Sequence, residues 1–355
     1  MKKVIITGVT GQDGSHMADY LLKNTNHTII GCERRLSVKN HRNIKHLLTN
    51  PNFSLIDLDV TDAQNIDRSI RKHKPNYFIN FAANSFVGSS WEMPINHMQT
   101  NCMAVLHQLE SIRKHCPECR YYNAGSSEEF GDVVKSPQTE EHPLRPRSPY
   151  GASKCAARHL VKVYRDSYDL YAIQGWLFNH EGTRRGSEFV TRKITQNVAR
   201  IFKEYAVEES FEPLRLGNIE AKRDWSDAED FVDGIWRMLN QEKHWTHVPW
   251  VRNKPQEYVL SSNETHSIKE FVEEAFNIAG FDRSLCRWEG SGKDTKYYHE
   301  NDLLMEIDPQ FYRPAEVDLL LGDSTRARKE LRWEPKTSFI GLVDKMVRHD
   351  LNLIS

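Results

Sequence analysis

The first half of the chain alternates short apolar runs with helix-length segments, and this alternation most narrows what it can fold into. Apolar runs at residues 4–7, 28–32, 53–56, 77–81, 121–124 and 171–177 are bounded by polar residues or glycine. Between them, helical patterns are expected over 13–23, 40–48, 63–73, 95–115 and 150–169. Short buried strands alternating with helices pack as a parallel sheet with right-handed crossovers and helices on both faces, an α/β doubly wound fold. Ligands of such a sheet bind at the carboxyl ends of its strands. The residues just after each apolar run are therefore the first candidates for function.

The second half is less regular. Helical patterns cover 188–205, 228–241, 268–279, 325–331 and 340–351, whereas 247–258 and 288–314 are rich in charge and turn formers and read as loops. A length of 355 residues suits about two domains. The organisation expected is a dinucleotide-binding domain over 1–180, to which later segments return, and a smaller, mixed substrate domain over 181–355. With 48 Lys+Arg against 49 Asp+Glu the net charge is −1, which gives no basic footprint for nucleic acid. No apolar stretch approaches the roughly 18–20 residues of a membrane span. The amino terminus runs directly into a strand pattern with no secretory leader, so the six cysteines are expected free in a cytoplasmic protein. Cys116 and Cys119 have CxxC spacing without a second pair, and no metal site is expected.

Three motifs carry chemistry. Gly8-Val-Thr10-Gly11-Gln12-Asp13-Gly14 lies between the first strand and the first helix, where a glycine turn and a helix N-terminus suit a pyrophosphate, as in a Rossmann-type domain. Tyr150-Gly-Ala-Ser-Lys154 is the only Tyr-xxx-Lys, and its i, i+4 spacing puts both side chains on one helix face. A neighbouring ammonium, with a nicotinamide cation nearby, is expected to lower the phenol pKa, so that tyrosinate can take a hydroxyl proton. Ser126-Ser127-Glu128 follows the fifth strand, placing a hydroxyl and a carboxylate at its carboxyl end. The bland alternative for Glu128, with Glu129 beside it, is a solvated loop acid.

Together with Asp59-Val60-Thr61-Asp62 and Asn80-Phe81-Ala82-Ala83, these residues resemble the extended short-chain dehydrogenase/reductase family. Asn179-His180-Glu-Gly-Thr-Arg-Arg185-Gly, Phe189-Val-Thr-Arg-Lys193-Ile, Gly217-Asn-Ile-Glu-Ala-Lys-Arg223-Asp-Trp225 and Arg313-Pro-Ala-Glu316-Val-Asp-Leu-Leu-Leu-Gly-Asp323 narrow the likeness to the GDP-mannose 4,6-dehydratases.

That resemblance implies a lyase acting on GDP-mannose by internal hydride transfer, from sugar C4 to the nicotinamide and back to C6, with loss of water. Tyr150 and Lys154 would take the 4-hydroxyl proton, Ser126 would hold the 4-oxygen, and Glu128 would remove the C5 proton. The cofactor side would comprise Gly8, Thr10, Gly11, Gln12, Asp13, Gly14, Arg34, Arg35, Asp59, Val60, Phe81, Ala82, Ala83, Ser85, His180 and Arg185, with Tyr150 and Lys154. The GDP-sugar would fall to Ser85, Asn179, Lys193, Arg223, Arg313 and Glu316. Arg34 and Arg35 favour the 2′-phosphate of NADP. Glu33 falls where NAD-binding relatives place an acid on the ribose, which leaves NAD as the alternative. A homodimer or homotetramer is implied as well.

Two stretches depart from the family pattern. Asn84 and Phe86 stand where Gln and His are usual, and Ser126 stands for Thr. The loss of a histidine beside the sugar leaves another GDP-sugar, such as a GDP-heptose, open. An epimerase or reductase of the same fold and a catalytically silent nucleotide-sugar sensor are the other readings. Glu128 argues against an epimerase, because only the elimination needs a C5 base.

Overall fold

The computed structural model describes residues 1–241, 254–311 and 319–354. The six apolar runs form β1 (Lys3–Thr7), β2 (Thr28–Glu33), β3 (Phe53–Asp57), β4 (Tyr77–Asn80), β5 (Arg120–Ala124) and β6 (Ala172–Leu177). Shorter strands follow: β7 (Asn179–Glu181), β8 (Leu214–Leu216), β9 (Lys222–Arg223), β10 (Trp225–Asp227), β11 (Val259–Leu260), β12 (His266–Ser267), β13 (Cys286–Glu289), β14 (Lys296–His299), β15 (Asp302–Ile307) and β16 (Leu319–Leu320). The main sheet has the order β3-β2-β1-β4-β5-β6-β11, and every pairing in it is parallel. The chain leaves β1 toward one edge and returns to β4 on the other side, so the switch point lies between them.

The helices are α1 (Gln12–Asn24), α2 (Ala63–His73), α3 (Pro94–Met98), α4 (Ala104–His115), α5 (Pro149–Tyr168), α6 (Val190–Ala206), α7 (Ala228–Leu239), α8 (Ile268–Ala279), α9 (Thr325–Leu331) and α10 (Phe339–Ile354). Each starts or stops for local reasons. Asp62 caps α2 by accepting from the amides of Gln64 and Asn65, and the first turn of α5 has Ser148 as cap and Pro149 at its head. The helical pattern expected over 95–115 is interrupted by a wide π turn at Gln99–Met103. That turn brings Asn101 inward to donate to the Asn84 carbonyl at 3.0 Å and to Ser153 Oγ at 3.1 Å.

Two expectations are corrected. Residues 40–48 contain only one 3-10 turn, Lys45–Leu47. Ile44 and Leu47 are buried there, too few apolar side chains to hold an amphipathic helix. Residues 288–311 of the expected loop 288–314 are not loop, and 312–314 lie outside the described residues. Within 288–311, β14 and β15 pair antiparallel, β13 joins β14, and β8 completes a four-stranded sheet. Along β14 inward residues alternate with Lys296 and Tyr298, and the charge on the outer face masks the period of two.

Apolar clusters cover both faces of the main sheet, one under α2, α4 and α5 and the other under α1 and α7. Trp333, Leu331 and Ala327 belong to the second of these, so the chain returns to the main sheet late. A separate core joins α6, α8 and α10 to β8 and β15.

Across the carboxyl ends of four adjacent strands runs a buried row of polar side chains. Thr7 Oγ1 donates to Asn80 Oδ1 at 2.6 Å, Asn80 Nδ2 to Asn123 Oδ1 at 2.7 Å, and Asn123 Nδ2 to Gln174 Oε1 at 2.6 Å. The row is possible because Thr7, Asn80, Asn123 and Gln174 are register partners in β1, β4, β5 and β6. A buried polar group left without a partner costs about 1–3 kcal/mol. Asn123→Ala orphans a donor on Asn80 and an acceptor on Gln174, so denaturant unfolding should show a loss of about 2–6 kcal/mol. A loss below about 1 kcal/mol would mean that the row relaxes without consequence.

Candidate active site

A cavity of about 1460 Å³ opens at the switch point, above the carboxyl ends of β1, β4, β5 and β6. One end is the glycine turn. Gly8 has φ +65°, in the left-handed region, and a Cβ on Gly14 would lie 2.4 Å from the Gly8 carbonyl oxygen. Backbone and the start of α1 therefore approach the cavity with nothing between, and Thr10, Gly11, Gln12 and Asp13 line it. This cradle fits a dinucleotide pyrophosphate.

His180 closes the turn from the other side. Its Nδ1 lies 2.7 Å from the Phe178 carbonyl and its Nε2 3.0 Å from Asp13 Oδ2, while Phe231 stacks on the ring at 4.7 Å. Both ring nitrogens face acceptors, which only the doubly protonated imidazolium satisfies. Burial would lower the His180 pKa, but the Asp13 charge and hydrogen bond outweigh it and the net direction is up. Burial would raise that of Asp13, and His180 holds it well below the usual carboxylate range.

At the other side of the cavity, β5 ends and Ser126 caps a short turn over Ser127–Glu129. Glu128 N donates to Ser126 Oγ at 3.2 Å. Tyr150 stands in the first turn of α5, with its hydroxyl on the Ser126 side chain, and Lys154 follows one turn on. The Lys154 ammonium donates to the Ala124 carbonyl at 2.8 Å and lies 5.8 Å from the Tyr150 ring centre.

The protein groups by themselves do not depress the tyrosine. Burial pushes Tyr150 above its ordinary range, the Ser126 hydrogen bond opposes this, and the charges of Glu128 and Glu129 add to the rise. Burial also brings Lys154 down to about 8, against the pull of Glu129 and Asp13. The ammonium is engaged by a carbonyl rather than by the phenol oxygen, and desolvation of both groups wins.

The remaining candidates divide clearly. Phe81, Ala82, Ala83, Ser85, Asn179, Arg185, Lys193 and Arg223 all line the same cavity. Arg185 pairs with Glu181 at 3.0 Å and covers the Phe189 ring, and the Lys193 ammonium sits 3.3 Å from the Phe311 ring centre. Arg34 and Arg35 are exposed and do not line it. Asp59 and Val60, at the end of β3, do not line it either, and Asp59 accepts from the Thr61 hydroxyl at 2.7 Å. Arg313 and Glu316 fall outside the described residues.

Sequence reasoning missed several lining groups. Arg42, Asn40 and Asn43 reach the glycine turn, with Asn43 Nδ2 3.0 Å from the Thr10 carbonyl. His97, wholly buried, stands edge-on to Tyr150 at 6.2 Å. Neither had a local signal, since only the fold brings Arg42, Asn40 and Asn43 to the cavity and His97 behind Tyr150. Phe86 lines it too and meets Phe189 edge to face at 6.0 Å.

A glycine turn at the switch point of a parallel sheet, facing a buried Tyr-xxx-Lys pair, defines a Rossmann-fold protein of the short-chain dehydrogenase/reductase class. Solved structures share this fold over the whole chain. UDP-glucose 4-epimerase of Thermotoga maritima, with UDP-glucose, superposes with a TM-score of 0.80 at 21% identity, covering 99% of this chain and 100% of that one. dTDP-glucose 4,6-dehydratase of Bacillus anthracis, in complex with NAD, gives 0.76 at 21%, over 98% and 96%. RMD of Pseudomonas aeruginosa, complexed with NADPH, gives 0.75 at 19%, over 99% and 100%. The chain belongs to the GDP-mannose 4,6-dehydratase family, whose model matches residues 5–346. GDP-mannose 4,6 dehydratase of Drosophila melanogaster is 39% identical over 99% of this chain and 87% of its own length. GDP-mannose 4,6 dehydratase 1 of Arabidopsis thaliana is 40% identical over 99% and 90%.

The Asp13–His180 pair makes a pH-dependent contribution whose sign is set by both shifts. His180, raised, stabilises the fold below its ordinary 6.5 and loses that share as pH rises through its folded value. Asp13, lowered, stabilises above its ordinary 3.8 and loses its share as pH falls through its folded value. Asp13→Asn should therefore bring His180 below 6.5 in an NMR titration of the ring protons. An unmoved titration would remove Asp13 as the cause.

Proposed function

We propose that this chain is a GDP-mannose 4,6-dehydratase, a lyase that converts GDP-D-mannose to GDP-4-keto-6-deoxy-D-mannose and water. Family membership supports the substrate. The observation that carries the chemistry is the presence, in one cavity, of Tyr150, Lys154 and Ser126 together with the Glu128 carboxylate. A nicotinamide held in the cavity would supply the acceptor for the hydride of sugar C4 and its donor to C6. Tyr150, with its oxygen on the Ser126 side chain, takes the proton of the 4-hydroxyl, and Ser126 steadies the 4-oxygen as it becomes a carbonyl. That carbonyl acidifies the C5 hydrogen, Glu128 removes it, and the same proton leaves with the 6-hydroxyl as water; the proton held by Tyr150 balances the one returned to C5. Lys193, Arg223 and Arg185 suit the diphosphate as cationic donors.

The cofactor we infer is NADP. Glu33 is buried and bonded to Lys39 and, at 3.0 Å, to His41, and it does not line the cavity. Its charge is thus taken up outside the cavity, whereas Arg42 lines the cavity and supplies positive charge there. Denaturing the purified protein should release NADP; release of NAD alone would overturn this choice.

The decisive assay uses GDP-mannose with no added reductant and follows loss of one water by mass spectrometry. Sugar labelled with deuterium at C4 should yield product with the label at C6. Conversion only of another GDP-sugar, which the apolar Phe86–Phe189 wall leaves room for, would move the substrate, and conversion of none would favour a sensor. Glu128→Gln should abolish water loss by at least about a hundredfold while cofactor binding persists; retained dehydration would remove Glu128 from its role.

The chain is also read as a cytoplasmic homo-oligomer. All six cysteines are free, and no helix among the described residues is long and apolar enough to cross a membrane. Exposed Trp91, Met93, Ile95 and Met98 offer apolar surface for a second copy. Sedimentation should report a dimer or tetramer; a monomer at micromolar concentration would refute this.

A further inference from the structure

Glu129 closes the short turn that carries Ser126 and Glu128, and unlike a loop acid in solvent it is wholly buried. Its carboxylate accepts from the Ser126 amide at 2.9 Å, from Gln174 Nε2 at 3.0 Å and from the Arg158 guanidinium. The polar row from Thr7 through Asn80 and Asn123 to Gln174 thus ends on this carboxylate, every amide in it donating toward the negative charge. Gln174 Nε2 also donates to the Lys154 carbonyl at 3.0 Å, tying the same network to the helix of Tyr150 and Lys154.

We propose that Glu129 is a positioning residue of the reaction: its buried carboxylate, bonded to the Ser126 amide and to Arg158 of α5, fixes the Ser126–Glu128 turn against the helix of Tyr150 and Lys154. This rests on the dehydratase reading above. The geometry is specific to an anion. Arg158 is buried and accounts for its five donors on Glu129, Glu257 and the carbonyls of Gln174 and Gly175, with Trp176 beneath it. Glu257 in turn takes Arg165 at 2.8 Å and the Gln174 amide at 3.0 Å. A neutral side chain at 129 would meet the Ser126 amide but would leave the Arg158 guanidinium without one of its two carboxylates.

The groups facing Lys154 can be named from each side. Glu129, behind β5, and Asp13, on α1, favour its charge. Tyr150 presents a ring from its own helix, and His97 on α3 is a neighbour whose own protonation Lys154 disfavours. Removing the Glu129 charge therefore takes away one of two attractive partners, and burial then dominates.

The test compares Glu129→Gln with the wild type in the GDP-mannose assay across pH. The variant keeps shape and an acceptor for the Ser126 amide. The alkaline limb of kcat should move down by about one pH unit, with KM changed by less than about twofold. Glu129→Asp keeps the charge but shortens the reach, so kcat should fall while the limb stays in place. If Glu129→Gln does not fold, the double variant Glu129→Leu/Arg158→Met removes the tie between the turn and α5 together with both buried charges, so kcat should fall with the limb little moved. A limb that stays at its wild-type pH in folded Glu129→Gln, or an unchanged kcat in the double variant, overturns the proposal, and a change confined to melting temperature would make Glu129 merely structural. If the wild type itself does not dehydrate GDP-mannose, the dehydratase reading fails. The Glu129 inference is then read from the pH dependence of Lys154 modification by an amine-reactive reagent, where Glu129→Gln should likewise shift it down.

Discussion

The buried guanidinium of Arg158 is the interaction on which the rest of the site depends. A charge removed from water is tolerated only when paired and fully hydrogen-bonded, and removing one partner of such a pair is strongly destabilising. Arg158 meets that demand with two carboxylates, Glu129 and Glu257, and two carbonyls of β6. Each partner belongs to a different piece of the site: the turn after β5, the segment before β11, and β6 itself. The helix that carries Arg158 also carries Tyr150 and Lys154. Satisfying one cation thereby fixes the mutual placement of the strand ends and the reactive helix.

The same logic governs the glycine turn. Asp13 and His180 come from opposite ends of the first half of the chain, and their charges neutralise one another at the edge of the cavity. An imidazolium held between a carbonyl and a carboxylate is rigid, because both donors are committed. The anionic ligand expected at the start of α1 therefore meets backbone amides and a neutralised carboxylate, not a bare negative charge. Local compensation of this kind explains how a chain with a net charge of −1 serves a diphosphate substrate and a dinucleotide.

Much of this was legible in the residues. The strand runs appeared with boundaries one or two residues from those observed, because buried parallel strands are short, apolar and punctuated. Helix α2 begins and ends as its cap and spacing require, with Asp62 before it and a left-handed Lys74 after it. Tyr150, Lys154, Ser126 and Glu128 were found because each stands next to a strand end or a helix start, where local pattern implies position. Arg34 and Arg35 were drawn toward the cavity by resemblance, but the chain beyond Glu33 turns outward and its carboxylate is taken by Lys39 and His41. The strands within 288–314 were hidden because charged outer faces blurred their alternation.

By itself, the sequence determined the parallel α/β architecture, the glycine turn, the Tyr-Lys pair and the carboxylate after the fifth strand. Each of these is encoded within a few neighbouring residues. Only the tertiary structure decided the burial of Glu129, the cross-strand row ending on it, the approach of Arg42 to the cavity and of His97 to Tyr150, and the direction of the Tyr150 shift. These depend on contacts between residues tens to more than a hundred positions apart. Desolvation, which sets both the worth of a hydrogen bond and the proton affinity of a side chain, exists only once those contacts have excluded water.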